Sequence, residues 1–468
     1  MHAAAPLHQP SYRAPKLIDW RRVQQDLTPL YCESEPAVVL KKSRDFYWFS
    51  PILRSQLGDK RGDLVVEPAD EEQLLQLARY CIEHNIPITP RGGGTGNFGQ
   101  AMPLYGGIIL DMTRMKNVSV PRPGVVRAGA GLKLFDLEQE TVKHGWELRC
   151  HPSTWKTATV GGFIAGGTSG CGAINCGTIH EPGNVLGARV LLFQQEPKFV
   201  ELRGADAQQI VHAYGTTGII TEVELALAPV MPWRDAMVRF ADTRRAVEFG
   251  EALARADGIV KKQVTIIAWG QALYLPIKPL LKEGCAYAAV IIAGHSWEPF
   301  AEMAVSYGGE IVHECVTGTK VPYIAKVDEL GFGHTHFYAL TRRPELAHLT
   351  PAFPGSEGWD SIMHLIEYHD ADAPLHVEYI RGRGDIQRHA ALLLNYTTPE
   401  ALDTFIREYE ARGVLFFSPH TPRVESGGMQ ALDPRVFSFK AEADPFGLLN
   451  PGKMPGWAVP EDGFFLRS

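Results

Sequence analysis

The sequence has no long apolar run and no cysteine framework. Its apolar runs stop at about the length of Tyr287 to Gly294 (YAAVIIAG), well short of the roughly 18 residues that cross a bilayer. The opening residues (MHAAAPLHQPSYRAPK) lack the apolar core of a secretory signal. The seven cysteines are an odd number without a repeated CxxC spacing, so we expect buried, reduced thiols. These absences predict a cytoplasmic protein with no transmembrane segment.

An excess of basic charge is also missing. The net charge is -7 and the pI is about 6.2, which argues against a broad basic surface for nucleic acid. Hydrophobic residues make up 45% and charged residues 21% of the 468 residues. This composition excludes intrinsic disorder and coiled coil. The length predicts two or three domains.

Glycine, by contrast, is abundant, with 46 residues, and it is concentrated in a few places. Residues 90–100 read PRGGGTGNFGQ, in which Gly94, Gly96 and Gly99 have the spacing GxGxxG. The following residues, AMPLYGG, cannot propagate a helix, which excludes a Rossmann dinucleotide site. Successive glycines do allow several backbone N–H groups to converge on one anion. The loop therefore predicts a pyrophosphate site.

Four further segments follow the loop in a recognisable order. GGIILDMTRM and VVRAGAGLKLFDLEQETVKHG come first, then residues 152–170 (PSTWKTATVGGFIAGGTSG), 215–225 (GTTGIITEVEL) and 444–453 (DPFGLLNPGK). Together they resemble the FAD-binding family of the PCMH type, also called the vanillyl-alcohol-oxidase type. Within it, the chain is most similar to the glycolate oxidase and D-lactate dehydrogenase group. The resemblance covers nearly all of residues 60–232 and about the last 30 residues.

The resemblance implies FAD as the cofactor. The small side chains of the second segment suit a flat ring lying against the main chain. The implied FAD-binding residues come from the loop, the second segment, the adenine-side segment and the tail: Pro90, Arg91, Gly92, Gly93, Gly94, Thr95, Gly96, Asn97, Pro152, Ser153, Thr154, Thr159, Val160, Gly161, Gly162, Ala165, Gly167, Ser169, Gly170, Ile219, Ile220 and Asn450. Thr95 and Trp155 stand where relatives carry covalent anchors, so the expected FAD is non-covalent.

The expected fold class is α+β, with a two-part PCMH-type FAD-binding domain and a substrate (cap) domain on an antiparallel sheet. Strands at 63–68 and 86–90 flank an amphipathic helix at 70–85. The region after Pro229 mixes helices and strands without βαβ regularity, which favours the antiparallel sheet. The predicted domains are a lead-in packed on the flavin domain, the flavin domain, the cap domain and a tail returning to the flavin domain, at 1–59, 60–232, 233–430 and 431–468.

Hydride transfer to a flavin needs a base for the substrate hydroxyl and a clamp for the rest of the substrate. Read as a strand, Leu375 to Arg383 (LHVEYIRGR) places His376 and Glu378 on one face as an oriented base. The other face carries Tyr379 and Arg381, a donor pair for a carboxylate. Either face could serve, or both could be structural. His334 and His336 alternate onto one strand face and are further catalytic candidates.

A metal site is not expected. His369 and His376 have the H-x6-H spacing of relatives that oxidise D-lactate, glycolate or 2-hydroxyglutarate. However, the accompanying glycines and asparagine and the later E-H-G of those relatives are absent. Two histidines alone do not complete a tetrahedral metal shell.

The sequence thus predicts an FAD-dependent oxidoreductase that transfers a hydride from a hydroxy compound, such as a 2-hydroxy acid, to flavin N5. Two alternatives stay open. One is oxidation of a polyol, sugar lactone or aromatic alcohol, and the other is a flavoprotein electron-transfer subunit without substrate chemistry of its own. The expected partners are the hydroxy substrate and an electron acceptor, either oxygen, a quinone or a redox protein. A homodimer is compatible with the sequence.

Overall fold

The protein is described here by a computed structural model covering residues 16–424, 434–454, 457 and 463–467. The first 15 residues of the predicted lead-in lie outside this part. Within it, the strands form one pair and sheets of four, six and eight strands. None of the helices in these ranges is long and apolar enough to span a membrane.

The helices and strands before residue 232 are, in chain order, β1 (Lys16–Ile18), α1 (Trp20–Asp26), β2 (Tyr31–Glu33), α2 (Pro36–Lys42), α3 (Pro51–Leu57), β3 (Leu64–Glu67), α4 (Glu71–His84), β4 (Ile88–Arg91), β5 (Ile108–Asp111), β6 (Val118–Arg122), β7 (Val125–Gly129), α5 (Leu134–Val142), β8 (Trp146–Leu148), α6 (Val160–Gly166), α7 (Ala173–Cys176), β9 (Val185–Leu192), β10 (Lys198–Arg203) and β11 (Ile219–Pro229).

Those after it are β12 (Trp233–Phe240), α8 (Thr243–Arg255), β13 (Lys261–Ile267), α9 (Trp269–Ala272), β14 (Ala286–Ala293), α10 (Trp297–Ser306), β15 (Glu310–Val316), α11 (Gly333–Leu340), β16 (Leu346–Phe353), α12 (Gly355–His369), β17 (Leu375–Gly382), β18 (Asp385–Asn395), α13 (Pro399–Glu410), β19 (Leu415–Phe417), α14 (Arg435–Ala443) and β20 (Phe465–Arg467).

The four-stranded sheet has the order β2-β3-β5-β4, with β3, β5 and β4 parallel. Helix α4 forms between β3 and β4 because its ends and its face are both specified locally. The Asp70 side chain accepts from the backbone N–H of Gln73, and Asn85 ends the helix in the left-handed region at φ 57°. The helix buries the stripe that the periodicity predicts, Leu74, Leu77, Ala78, Cys81 and Ile82. The glycine loop begins directly after β4.

The six-stranded sheet runs β10-β9-β11-β7-β6, with β8 on β11, and its pairs are antiparallel. The glycine-rich helix α6 contacts β11 and β7. The second predicted cofactor segment lies beside the loop that follows β4. The two are in close contact, since a Cβ added at Gly92 would meet the side chain of Thr159.

The eight-stranded sheet contains every strand from β12 to β19, in the order β15-β12-β14-β13-β17-β18-β16-β19. All of its pairs are antiparallel, so the predicted α+β class with an antiparallel cap sheet is confirmed. Helices α8, α10 and α12 pack on it around the largest buried apolar cluster. The predicted boundary after residue 232 falls between β11 and β12.

The tail lies against the first sheet. The backbone N–H of Ile88 donates to the carbonyl of Leu448 at 2.9 Å, and the N–H of Asn450 donates back to Ile88 at 2.8 Å. The tail therefore reaches the strand that leads into the glycine loop.

Candidate active site

A cavity of about 690 Å³ lies between the glycine-rich segments and the cap sheet. One wall is formed by residues 90–97 and by residues 152–169, together with Tyr214 to Ile220. The opposite wall, the cap wall, is formed by α11, the loop before it, and side chains of β16, β17 and β18. Of the cofactor residues predicted from the sequence, all line this cavity except Val160, Gly170 and Asn450.

The glycine loop presents free backbone donors to the cavity. No N–H of residues 92–97 donates to another group in the described part of the chain. Gly94 has φ 65°, a left-handed conformation that glycine adopts without strain. A Cβ at Gly92 would collide with the Thr159 side chain, and one at Gly93 with the carbonyl oxygen of Thr157. The loop is thus packed too closely for side chains and suits an anion held by main-chain amides.

The second segment continues this wall with little side-chain bulk. Thr159 begins α6 by accepting from the N–H of Gly162 at 3.2 Å. A Cβ at Gly161 would overlap the Cβ of Ala130. The Ser169 hydroxyl is buried and makes no hydrogen bond, although Ser169 lines the cavity. A buried polar atom without a partner in a lined cavity is the expected signature of a missing ligand group.

The lead-in segment closes one side of the loop. The N–H of Phe46 donates to the carbonyl of Gly96 at 2.7 Å, and Asp45 lines the cavity. Burial raises the pKa of Asp45 to about 6, against the opposing effect of the buried Lys453. Burial lowers the pKa of Lys453 to about 7, and its ammonium donates to the carbonyl of Gly99 at 2.5 Å. The sequence gives no local signal that the lead-in reaches this cavity.

Asn450 supports the site from behind. Its side-chain N–H groups donate to the carbonyls of Gln100 at 2.9 Å and Tyr214 at 2.7 Å. It is fully buried and is absent from the cavity lining. Asn450 therefore holds two cavity segments together and does not face a ligand.

On the cap wall, Glu378 is the centre of a buried hydrogen-bond network. Its carboxylate accepts from the Thr265 hydroxyl at 2.6 Å and from the N–H of Phe332 at 2.6 Å. It also accepts from Nε2 of His376, whose Nδ1 lies 2.6 Å from the Thr335 hydroxyl. Alternation along β17 correctly predicts that His376 and Glu378 share a face. Glu378 lines the cavity whereas His376 does not, so the histidine orients the carboxylate.

The other face of β17 points away from the cavity. The Tyr379 hydroxyl donates to the carbonyl of Val247 at 2.9 Å, within the cap core. Arg381 lies 3.5 Å from Asp257 near the surface. Neither residue lines the cavity. The structure therefore does not bring the predicted Tyr379 and Arg381 clamp to the site.

The prediction that His334 and His336 lie on a strand is wrong, because both lie in helix α11. Their i, i+2 spacing fits a strand face, but Gly331 and Gly333 around Phe332, whose φ is 54°, turn the chain into a helix. Both histidines nevertheless line the cavity. Nδ1 of His334 and Nε2 of His336 are buried without a hydrogen-bond partner.

A third histidine, His389, was not predicted. It stands opposite Glu378 in the ladder between β17 and β18 and lines the cavity with Nδ1 unpartnered. Burial lowers the pKa of His389 to about 4. Burial, reinforced by nearby His376, lowers the pKa of His336 to about 3. Burial also lowers the pKa of His334. The cap wall thus offers imidazoles that are neutral at pH 7.

His369 and His376 do not form one site. His369 ends α12 and packs against the rings of Phe405 and Tyr409, whereas His376 is bonded to Thr335 and Glu378. Within the described ranges, no group of three His, Cys, Asp or Glu residues has a metal-binding arrangement.

Comparison with known proteins identifies the glycine-rich wall. The sequence pattern of the family described as FAD binding domain matches residues 62–195. A D-lactate dehydrogenase of Archaeoglobus fulgidus is 31% identical over 178 residues, which are 36% of this chain and 39% of that protein. An uncharacterized FAD-linked oxidoreductase of Mycobacterium tuberculosis is 30% identical over 248 residues, 48% of this chain and 52% of that protein. The glycolate oxidase subunit GlcD of Bacillus subtilis is 26% identical over 183 residues, 36% of this chain and 37% of that protein.

The chain thus spans about two fifths to one half of the length of these relatives. Similarity to a solved structure extends further. An alkyldihydroxyacetonephosphate synthase has a TM-score of 0.70 at 15% identity, over 96% of this chain and 88% of that one. This likeness shows the fold over 96% of the chain.

These findings define a flavoprotein fold with a cavity at the junction of its two main parts. The chain contains a PCMH-type FAD-binding domain, and FAD is its cofactor. The resemblance seen in the sequence is therefore confirmed for this domain.

Proposed function

We propose that the chain is an FAD-dependent oxidoreductase that oxidises a hydroxy compound of the 2-hydroxy acid class. The proposal rests on the two walls of the cavity. Unbonded main-chain donors of residues 92–97 form one wall, and neutral imidazoles with free nitrogens form the other. The relatives named D-lactate dehydrogenase and glycolate oxidase support the substrate class.

Residues 91–97 would hold the diphosphate, and the segment from Pro152 to Ser169 would lie along the flavin ring. Bound there, FAD supplies the acceptor for the substrate hydride, so that the substrate C–OH becomes C=O and its hydroxyl proton is released to the protein. Ile219 and Ile220 would contact the adenine end. All of these residues line the cavity except Trp155, Val160 and Ile164.

The proton of the substrate hydroxyl would pass to an imidazole of the cap wall. His334, His336 and His389 each have a ring nitrogen without a hydrogen-bond partner. Burial lowers the pKa of His336 to about 3 and of His389 to about 4, which makes both weak bases, since an efficient base has a pKa near the working pH. His334, whose pKa burial also lowers but without so large a shift, is therefore the first candidate. Glu378 is less suited to this task because hydrogen bonds from three groups already occupy its two oxygens. We assign Glu378 and His376 to positioning the cap wall.

The flavin is proposed to be non-covalent. In the wall contributed by residues 90–169 and 214–220, no cysteine or histidine is among the described residues that line the cavity. Cys150, the thiol nearest in sequence to the second segment, is buried outside the lining. After acid precipitation, the yellow colour should stay in the supernatant. Colour retained in the pellet would contradict this assignment.

The central experiment is the visible spectrum of the purified holoprotein, recorded without air before and after 2-hydroxy acids are added. Bleaching of the oxidised flavin band by at least one 2-hydroxy acid is expected. A coloured protein that no hydroxy compound bleaches, but that exchanges electrons with a redox partner, would overturn the proposal. The acceptor (oxygen, quinone or redox protein), the cytoplasmic location and the homodimer stay predictions from the sequence.

A further inference from the structure

The cavity carries an aromatic patch that neither the cofactor wall nor the imidazoles explain. Phe337 of α11 meets two rings of the lead-in, with centroid distances of 6.0 Å to Phe46 and 6.4 Å to Trp48. All three rings line the cavity and are only partly buried. Phe49 beside them is 4% exposed and belongs to the core. The three partly buried rings thus leave apolar surface facing the cavity, as in sites for apolar ligand groups.

The cap contributes no cation to the cavity lining among the described residues, in which the cations are Arg44, Arg91 and Lys156. Arg44, two residues before the first of these rings, is exposed and donates to the carbonyl of Gly58 at 3.3 Å. Arg91 lies under the glycine loop, where it donates to the carbonyl of Arg44 at 2.7 Å. Lys156 is paired with Glu329. A second carboxylate on a substrate side chain would therefore meet rings and neutral imidazoles instead of a guanidinium or ammonium group.

We propose that the preferred substrate is a 2-hydroxy acid with an aromatic side chain, whose ring contacts Phe46, Trp48 and Phe337. This inference rests on the proposed function. A methyl side chain leaves these rings uncovered. A carboxylate side chain would be desolvated without a counter-charge. The reacting carbon, hydroxyl and first carboxylate are common to all three kinds of substrate, so the side chain decides between them.

The test compares three racemic substrates with the holoprotein: 3-phenyllactate, lactate and 2-hydroxyglutarate. Flavin bleaching is followed without air, and the second-order rate constants are compared. Burial of the phenyl group is expected to favour 3-phenyllactate over lactate about 10- to 150-fold. A second readout does not need turnover. Calorimetry should show 3-phenylpropanoate, which has no hydroxyl, binding more tightly than propanoate by a similar factor.

Phe337→Ala should lower the ratio of 3-phenyllactate to lactate by about 3- to 10-fold, since a ring contact is removed. Phe337→Leu, which keeps apolar bulk in case the alanine variant folds poorly, should lower it less. The matched control is Phe405→Ala on α13, whose ring packs on Tyr409 with centroids 4.9 Å apart and does not line the cavity. That variant should keep the ratio.

The outcomes separate the two claims. If neither these three acids nor any other 2-hydroxy acid bleaches the flavin, the proposed function fails. If another 2-hydroxy acid bleaches it and 3-phenyllactate does not, the proposed function stands and the inference is overturned. If lactate or 2-hydroxyglutarate reacts as fast as 3-phenyllactate, the proposed function stands and the inference is overturned. The inference is equally overturned if 3-phenyllactate is preferred but the ratio is the same in Phe337→Ala and in Phe405→Ala.

Discussion

Gly93 is the position where one added methyl group should weaken FAD binding through a collision alone. Its φ is not among the left-handed values, so alanine causes no conformational strain there. The new Cβ would collide with the carbonyl oxygen of Thr157, which is backbone and cannot rotate away. The loop must then move away from the second segment, and this movement displaces N–H groups that would meet at the diphosphate.

The size of the effect follows from those N–H groups. A hydrogen bond to a charged acceptor contributes about 1.5–3 kcal/mol. Loss of one such bond in Gly93→Ala corresponds to a dissociation constant for FAD about 10- to 150-fold higher. Loss of two would raise the dissociation constant by about 150-fold or more. A more extensive collapse of the loop would also lower the melting temperature.

The assay is titration of the FAD-free protein with FAD, followed by flavin fluorescence. Gly258→Ala is the matched control, because a Cβ at Gly258 has no atom within 4 Å and its φ is not left-handed. The control should change the dissociation constant less than about twofold. Equal FAD affinity in Gly93→Ala and the wild type, with both folded, would refute the assignment of this loop to the diphosphate.

Three further predictions concern the surroundings of the cavity. Asn450→Ala removes two buried hydrogen bonds, to the carbonyls of Gln100 and Tyr214, and should lower stability by about 1–3 kcal/mol, seen as a lower melting temperature; an unchanged value would contradict this role. Glu378→Gln should slow flavin bleaching about 10-fold or more while FAD affinity stays within about twofold, and equal bleaching rates would contradict a positioning role. Acid should destabilise the fold: burial lowers the pKa of His336 to about 3 and of His389 to about 4, so their stabilisation is complete above pH 6.5 and is lost as the pH falls toward 4. Between its unfolded and folded pKa values, each histidine changes the free energy of unfolding by about 1.4 kcal/mol per pH unit. Asp45, whose pKa is raised to about 6, has the opposite effect. A melting temperature that does not fall between pH 7 and pH 5 would contradict the predicted loss of stability in acid.

Local signals predict the flavin side of the molecule well. Helix α4 follows from Asp70 at its start, Asn85 at its end and one apolar stripe, all within a single stretch of sequence. The glycine loop is equally local, because its chemistry depends on consecutive backbone groups. Strand alternation also places His376 beside Glu378, since residues two apart share a face in any strand.

The cap wall could not be predicted in the same way because its contacts join distant segments. His389 reaches the site through its pairing with Glu378, and strand register is not readable from one sequence without a short turn. Phe46 reaches the cavity through a bond to Gly96 across 50 residues of chain. His334 and His336 line the cavity, but the prediction of a strand is wrong, because their alternation does not distinguish a strand from the first turn of a helix.

Phe332 connects this wall to Glu378, and its backbone provides a test of that connection. It has φ 54° and ψ -139°, a conformation that costs a non-glycine residue about 1–3 kcal/mol. Its N–H donates to Glu378 at 2.6 Å, which offsets that strain. Phe332→Gly and Phe332→Ala both remove the ring, but only glycine removes the strain, so the glycine variant should melt at the higher temperature. At Phe337, inside helix α11, the order should reverse because glycine is the poorer helix former by about 1 kcal/mol. If alanine is the more stable variant at both positions, the backbone of Phe332 is not strained.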